Sequence, residues 1–390
     1  MKNEAEILFS VLRFELSDQK IEFKREDLDA ELLQKLYALS KAHDLSHLVG
    51  KALRHAGLLD AGETAKSFTK QQMLAIYRFE RLNYEYLRIC ALFDREKIAY
   101  MPLKGAVLRK FYPEPWMRTS CDIDILVKEE QLTRALDVLS SELHYKTEGG
   151  KTFHDVHVFS ESGVHLELHY NIKEDLEPMD AVLSRVWEYA YPTEQSPCRY
   201  EQTIEYLLFH LIAHAAYHFI NGGCGIRFVL DLWLLKKQSA YNENLLSELL
   251  SAAELQTFAR ELFALADVWF EGRAHSDLTL EMEAYILGAG LYGTVENSVA
   301  MGQSGDSKGG RVGYLMRQVF MPYKNLKGRF PVLEKWPVLF PVFTVYRWFR
   351  IAFGKHRTIA VQVMRSSTSL DSAKANRLTA LRKNLELSQK

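Results

Sequence analysis

The sequence predicts an α+β protein, with a small mixed β-sheet core flanked by N-terminal and C-terminal helical regions. Three observations predict it. Apolar residues recur at helical spacing through residues 1–97 and again beyond residue 173. Between those stretches, short apolar or alternating runs end in turn residues, as strands do. No proline interrupts residues 29–42 or 65–96, so both can be continuous helices. At 390 residues the chain exceeds a usual single core. It divides into a helical region 1–97, a mixed core 98–172, a helical domain 173–300, and a C-terminal helical region 301–390 with a flexible loop and a polar tail.

In the first region, Ile7, Leu8, Val11 and Leu12 fall at helical spacing, and Leu32, Leu33, Leu36 and Leu39 form a second stripe. A long helix is expected over 65–96, with Met73, Ile76, Tyr77, Leu82, Tyr84, Leu87 and Leu92 on its apolar stripe. The run IAYMPLKG at 98–105 reads as a strand entering a turn, followed by a helix at 106–112 that Pro113 and Pro115 stop. DIDILVK at 122–128 alternates like a half-buried strand, and 130–143 is an amphipathic helix. Strands are expected at 144–147, 155–160 and 164–171, with Glu161-Ser162-Gly163 as the hairpin turn. From Asp175 the chain turns mainly helical, with helices at 201–220 and 227–237 separated by Gly222, Gly223 and Gly225. QSGDSKGG at 303–310 reads as a flexible loop, and the tail after Ser366 is polar enough to fray.

Composition narrows the class. An apolar fraction of 47% with 25% charged residues is that of a soluble globular chain. A formal net charge of -1 gives no global drive toward nucleic acid. The cysteines Cys90, Cys121, Cys198 and Cys224 are scattered without a CxxC pair, which argues against a disulfide framework and for a reducing compartment. The N-terminus lacks the pattern of a signal peptide, so a cytoplasmic location is expected. Residues 336–353, WPVLFPVFTVYRWFRIAF, are nearly all apolar, but two prolines, Arg347 and Arg350 make a poor membrane span. A buried C-terminal helix is expected there, with peripheral contact to a membrane surface as the alternative.

Asp122 and Asp124 carry the chemistry. Side chains alternate along a strand, so both point to one face and Ile123 and Ile125 to the other. Carboxylates that close repel unless a cation sits between them, and Mg²⁺ is the natural choice because it takes oxygen ligands and leaves room for phosphates. Glu167, in VHLELHY, is the candidate third carboxylate; it shares a face with His165 and His169. Before the aspartates, Lys104-Gly105 ends a strand and opens a helix. Exposed backbone N–H groups there suit phosphate, with Lys104 as a point charge and Arg118 as a fork onto another oxygen.

Taken together, LKGAVLRKFYPEPWMRTSCDIDILV and GVHLELHYNI resemble the uncharacterised nucleotidyltransferase family of the polymerase-beta-like superfamily. The shared pattern is Leu103-Lys104-Gly105, Tyr112-Pro113 with Arg118 beyond it, Asp122-Ile123-Asp124 inside an apolar strand, and Glu167-Leu168-His169. HLIAHAAYHF and IRFVLDLWLL look like that family's helical half. The resemblance implies a nucleotidyltransferase core and two-metal transfer of a nucleoside monophosphate from a nucleoside triphosphate, with release of pyrophosphate. It implies Asp122, Asp124 and Glu167 as catalytic carboxylates for Mg²⁺ or Mn²⁺, and Gly105 near the triphosphate. The superfamily's usual Gly-Ser at the phosphate turn is Lys104-Gly105 here, which is typical of this branch.

Two histidine groups remain. His154, His157, His165 and His169 cluster around the expected hairpin. Imidazole and carboxylate suit zinc, but the spacing matches no standard zinc pattern. His169 is therefore read as orienting Glu167 or the substrate. His210, His214 and His218 recur every four residues on one helix face, as a polar stripe bordering a cleft or as satisfied core histidines. The sharper expectation puts His214 on the acceptor side. Arg227 and Asp231, four apart on the next helix, are expected to pair with each other. The acceptor is left open between a protein hydroxyl, a tRNA end and a small molecule. The alternatives are a catalytically degenerate nucleotide binder and a membrane-surface interaction protein.

Overall fold

The structure is a computed structural model that describes residues 3–303 apart from 18 and 22, together with 319–323, 326–327, 330, 332–353, 362 and 372–387. Its architecture is α+β, mostly helical with a mixed sheet in the middle. The strands are β1 Tyr100–Pro102, β2 Asp122–Val127, β3 Lys146–Thr147, β4 Asp155–Phe159, β5 His165–His169, β6 Ala190–Thr193 and β7 Ser196–Gln202. They form one seven-stranded sheet in the order β3-β4-β5-β2-β1-β7-β6. The pairs β2–β5 and β1–β7 are parallel, and the others antiparallel.

The hairpin β6–β7 has no counterpart in the sequence reading, which has the chain turning helical after Asp175. Its strands carry Pro192 and Pro197 and lack clean apolar alternation, so periodicity does not mark them. The helix expected from residue 201 begins at Ile204, because Glu201 and Gln202 belong to β7 and the Thr203 side chain caps the helix by accepting from Tyr206 N–H.

The sheet separates two apolar clusters. Ile123, Ile125, Val156, Val158, Leu166 and Leu168 pack against Leu132–Leu143 and the second half of Glu63–Arg95. Met101 and Leu126, from the other face, join the core of the helices Ile204–Ile220, Ile226–Gln238 and Gln256–Glu271. The face that carries the acids thus lies where the sheet meets the helical half.

In Glu63–Arg95 the expected stripe is only partly buried. Leu82 and Leu92 are in the core with Phe68, Ala75, Tyr86, Ile89 and Phe93. Met73, Tyr77, Tyr84 and Leu87 face solvent instead. Arg81 and Arg88 lie over the rings of Tyr77 and Tyr84, which lets these aromatics stay on the surface. The helix Ser46–His55 was also not singled out; Gly50 inside it is set by packing, since a Cβ there would lie 2.7 Å from Phe68 Cβ.

Toward the C-terminus, the helix Phe340–Phe353 follows a turn at Pro337–Leu339. It is not the buried helix expected. Val342, Val345, Tyr346 and Phe349, at i, i+3, i+4 and i+7, all face solvent, while Thr344 and Arg347 are buried. Among the described residues no helix is long and apolar enough to cross a membrane. The expected loop at 303–310 lies outside the described residues beyond Gln303. Part of the tail read as fraying forms the helix Ser372–Asn384, anchored by buried Leu378 and Leu381.

Candidate active site

The parallel pairing of β2 with β5 sets Asp122 opposite His165, Asp124 opposite Glu167 and Leu126 opposite His169. Because the two strands keep the same parity, Asp122, Asp124, Glu167 and His169 all face one side of the sheet. They line a single cavity of about 320 Å³, together with Lys104, Gly105, Arg118 and His214. All eight residues singled out from the sequence therefore meet in one place.

Their roles within it differ. Asp124, Glu167 and His169 present ligand atoms within 4.8 Å of one another; Asp122 is not in that closest group. His169 Nε2 lies 3.2 Å from Asp124 Oδ1 and 3.5 Å from Glu167 Oε2, so one imidazole holds both carboxylates. Among the described residues its Nδ1 has no hydrogen-bond partner although it is buried. Burial alone would lower the His169 pKa, but the hydrogen bonds to Asp124 and Glu167 raise it to about 8.

Lys104 is the site's own cation. Its Nζ lies 3.1 Å from Asp124 Oδ1, and its backbone is left-handed at φ +42°, uncommon for a residue with a Cβ. Burial would push the Asp124 carboxyl up; the Lys104 charge and the His169 hydrogen bond outweigh it and hold Asp124 well below the usual range. Among the described residues Asp122 has no ion pair or hydrogen bond of this kind. Burial, then repulsion from Asp124 and Glu167, raises it to about 7. Two aspartates two residues apart are thus driven in opposite directions.

Gly105 sits at a close approach, since a Cβ there would meet Ser120 Cβ at 3.1 Å and Ser120 would have to shift by a few tenths of an ångström. Arg118 is buried, and its fork is engaged: Nε reaches both Asp231 oxygens at 2.8 and 2.9 Å, and Nη1 donates to the Thr119 carbonyl. Asp231 also accepts from the Tyr112 hydroxyl at 2.7 Å. The expected Arg227–Asp231 pair therefore does not form. Arg227 Nη1 instead reaches Asp44 and the Thr119 carbonyl, each at 3.1 Å. Long-range partners win here over the local i, i+4 neighbour.

The facing wall is helical. His214 Nδ1 lies 2.6 Å from Glu174 Oε1, and the Glu174 backbone N–H donates to Asp180. His218 packs edge-on to His214, and His210 Nδ1 contacts the Gln202 amide. Burial lowers all three histidines, His210 and His218 to about 3, so these imidazoles are uncharged at neutral pH. Glu174, Arg227, His210, His218 and Tyr292 also line the cavity and were not picked out as site residues. The stripe at 210, 214 and 218 was the one available signal. Glu174 lies in an unpatterned loop and gave none.

Comparison with known proteins gives a family. The sequence matches the family model described as uncharacterised nucleotidyltransferase over residues 29–271, which covers both walls of the cavity. No curated protein and no solved structure matches the chain. The chain belongs to the uncharacterised nucleotidyltransferase family.

Proposed function

We propose that the chain transfers a nucleoside monophosphate from a nucleoside triphosphate to an acceptor, with release of pyrophosphate. The observation that carries this reading is the register Asp124 opposite Glu167, which sets Asp122, Asp124 and Glu167 on one sheet face over a common cavity. The donor set fits a hard divalent cation: oxygen atoms of Asp124 and Glu167 converge beside His169, and Asp122 adds a further carboxylate, raised because burial and repulsion from the other two outweigh the attraction of Lys104 and Arg227. Mg²⁺ or Mn²⁺ held there supplies charge neutralisation for the phosphate oxygens of an in-line displacement.

The chain's own residues do the rest. Asp124 stays ionised through Lys104 and His169. Lys104 has a flexible stem and lies at the turn beside Gly105, so it can leave Asp124 for a phosphate oxygen once another cation balances the carboxylates. Arg118 and Arg227 are fixed by Asp231 and Asp44 and add positive potential to the far side of the cavity. The neutral wall of His210, His214 and His218 suits the acceptor, which stays unspecified among a protein hydroxyl, a tRNA end and a small molecule.

Purified protein, Mg²⁺ and each labelled triphosphate test the reading. Metal-dependent binding and pyrophosphate release, both lost in the Asp122→Ala, Asp124→Ala double variant, are expected. Binding without release points to a catalytically degenerate member, a reading favoured by the way Lys104 already neutralises Asp124. No metal-dependent binding at all removes both.

A second reading concerns location. Residues 301–390 carry 17 Lys and Arg against 4 Asp and Glu, whereas the preceding 300 residues carry 32 against 46. The solvent-facing stripe Val342, Val345, Tyr346 and Phe349 lies in that basic region, with exposed Trp336 and Val338 just before it. Apolar and aromatic side chains among basic ones suit an anionic membrane surface. Flotation with phosphatidylcholine vesicles containing phosphatidylglycerol is expected to carry the protein, and Tyr346→Glu with Phe349→Glu to release it. Equal flotation of the variant would rule this surface out.

A further inference from the structure

The acid-bearing face of the sheet does not stop at β5. Antiparallel pairing with β4 puts His157 opposite Glu167, Phe159 opposite His165 and Asp155 opposite His169. Side chains on this face therefore run Asp124, Glu167, His157 across three strands, with His165 and Phe159 in the next row. His157 Nδ1 lies 2.9 Å from His165 Nε2 and 3.9 Å from Glu167 Oε1. One ligand atom from each of His157, His165 and Glu167 falls within 4.8 Å of the other two.

The surroundings of these groups are those of a metal site. The second nitrogen of His157, Nε2, faces Asp155 Oδ1 at 3.6 Å, and Asp155 is buried and accepts from Thr152 Oγ1 at 2.5 Å. Asp155 also lies 3.1 Å from His154 Nε2, and at 3.6 Å its charge, rather than a hydrogen bond, favours the proton on His157 Nε2 and the lone pair on Nδ1, which faces His165. His165 is held by stacking on Phe159, with ring centroids 4.6 Å apart and planes 10° from parallel. The two nitrogens are at hydrogen-bond distance, and a cation can take the place of the proton of that bond. All three side chains are only partly buried, so an ion can enter from solvent.

We propose that His157, His165 and Glu167 form a second metal site, which takes a nitrogen-preferring divalent cation of the Zn²⁺ class rather than Mg²⁺. Two imidazoles and one carboxylate match a three-ligand zinc site with an open fourth position. Imidazole favours Zn²⁺ and its neighbours in the transition series, while Mg²⁺ holds to oxygen. The two sites share Glu167. A cation bound to the histidines draws that carboxylate away from Asp124, so it opposes Mg²⁺ at the neighbouring site. This last consequence rests on the proposed nucleotidyl transfer; the binding does not.

The test uses the full chain, stripped of metal and titrated with Co²⁺ in the presence of excess Mg²⁺. One equivalent is expected to bind with a visible ligand-field spectrum that Zn²⁺ abolishes. His157→Ala and His165→Ala are each expected to weaken Co²⁺ binding by about a hundredfold, and Asp155→Asn by about tenfold. His157→Gln and His165→Gln repeat the measurement with side chains of similar bulk, and a thermal melt confirms that each variant is folded. Asp122→Asn is expected to leave the Co²⁺ spectrum in place, which separates this site from the proposed transfer chemistry. Absence of Co²⁺ binding, or binding that survives in folded His157 and His165 variants, would overturn the proposal. So would loss of the spectrum in His154→Ala alone, which would place the ion on the adjacent group of His154, Asp155 and His169.

Discussion

The two walls of the cavity handle buried polarity in opposite ways. On the sheet wall, Asp124, Glu167, Lys104 and His169 keep charges in the interior by pairing them. On the helical wall, burial holds His210, His214 and His218 neutral, and Glu174 takes a single hydrogen bond from His214. Unpaired charge in a protein interior is expensive, so the paired wall keeps its charge for a purpose. A wall that holds Asp124 ionised and adds one excess acid, Asp122, is suited to receive a cation. The neutral imidazoles opposite it present donors and acceptors without adding charge.

The largest effect expected from breaking this contrast comes from Asp124→Asn. The side chain keeps its shape and loses the charge that holds Lys104 and His169. Mg²⁺-dependent pyrophosphate release from a nucleoside triphosphate is expected to fall by on the order of 10³-fold, the scale of removing one charge-stabilising group from a catalytic site. A rate within about tenfold of the parent would show that the paired wall is structural.

Next is Asp231→Ala, behind the cavity. It leaves the Arg118 guanidinium and the Tyr112 hydroxyl buried without their shared partner. Removing one member of a buried ion pair costs about 3 kcal/mol. Urea denaturation is expected to show a loss of that size, and an unchanged midpoint would mean that Arg118 finds another partner.

How far each wall was legible follows from the range of its contacts. Strand alternation, a property of neighbouring residues, puts Asp122 and Asp124 on one face, while bringing Glu167 beside them depends on the β2–β5 pairing, which alternation does not specify. The Lys104–Asp124 contact spans 20 positions and depends on how β1 pairs with β2, which alternation does not specify. Arg118 and Arg227 show the same limit: i, i+4 spacing suggested Arg227 for Asp231, and tertiary packing gave Asp231 to Arg118. Most helices were visible from apolar period. Ser46–His55 was not, being short and interrupted by Gly50, and β6–β7 was not, because two prolines and polar residues hide its alternation. The exposed stripe of Phe340–Phe353 was visible as apolar but not as outward-facing, because a sequence pattern does not say which face a helix buries.

The neutral wall can be probed with acid. Burial puts the His210 pKa at about 3, below the 6.5 of the unfolded chain. The unfolded state therefore takes up the proton first. The stability is present above pH 6.5 and is lost as the pH falls toward the folded value, by about 2 kcal/mol at pH 5. Replacing His210 with Leu is expected to flatten the pH dependence of the denaturation midpoint by that amount relative to the parent. An unchanged slope would show that His210 does not titrate on unfolding.

The finest test sets one histidine of each wall against the other. His169 touches both carboxylates that would hold the cation, and His214 contacts Glu174, His218 and Phe228 instead. His169→Gln keeps a hydrogen-bonding side chain but loses the charge that His169, with a pKa raised to about 8, carries at neutral pH. It should lower Mg²⁺-dependent triphosphate affinity by about tenfold, the smaller end of what supporting partners of metal ligands contribute. His214→Gln should leave that affinity within about twofold, a surface-scale change of less than 0.5 kcal/mol, and alter only steps that involve the acceptor. Equal losses in the two variants would mean that the cavity acts as one electrostatic unit, and that the division into a cation wall and an acceptor wall is wrong.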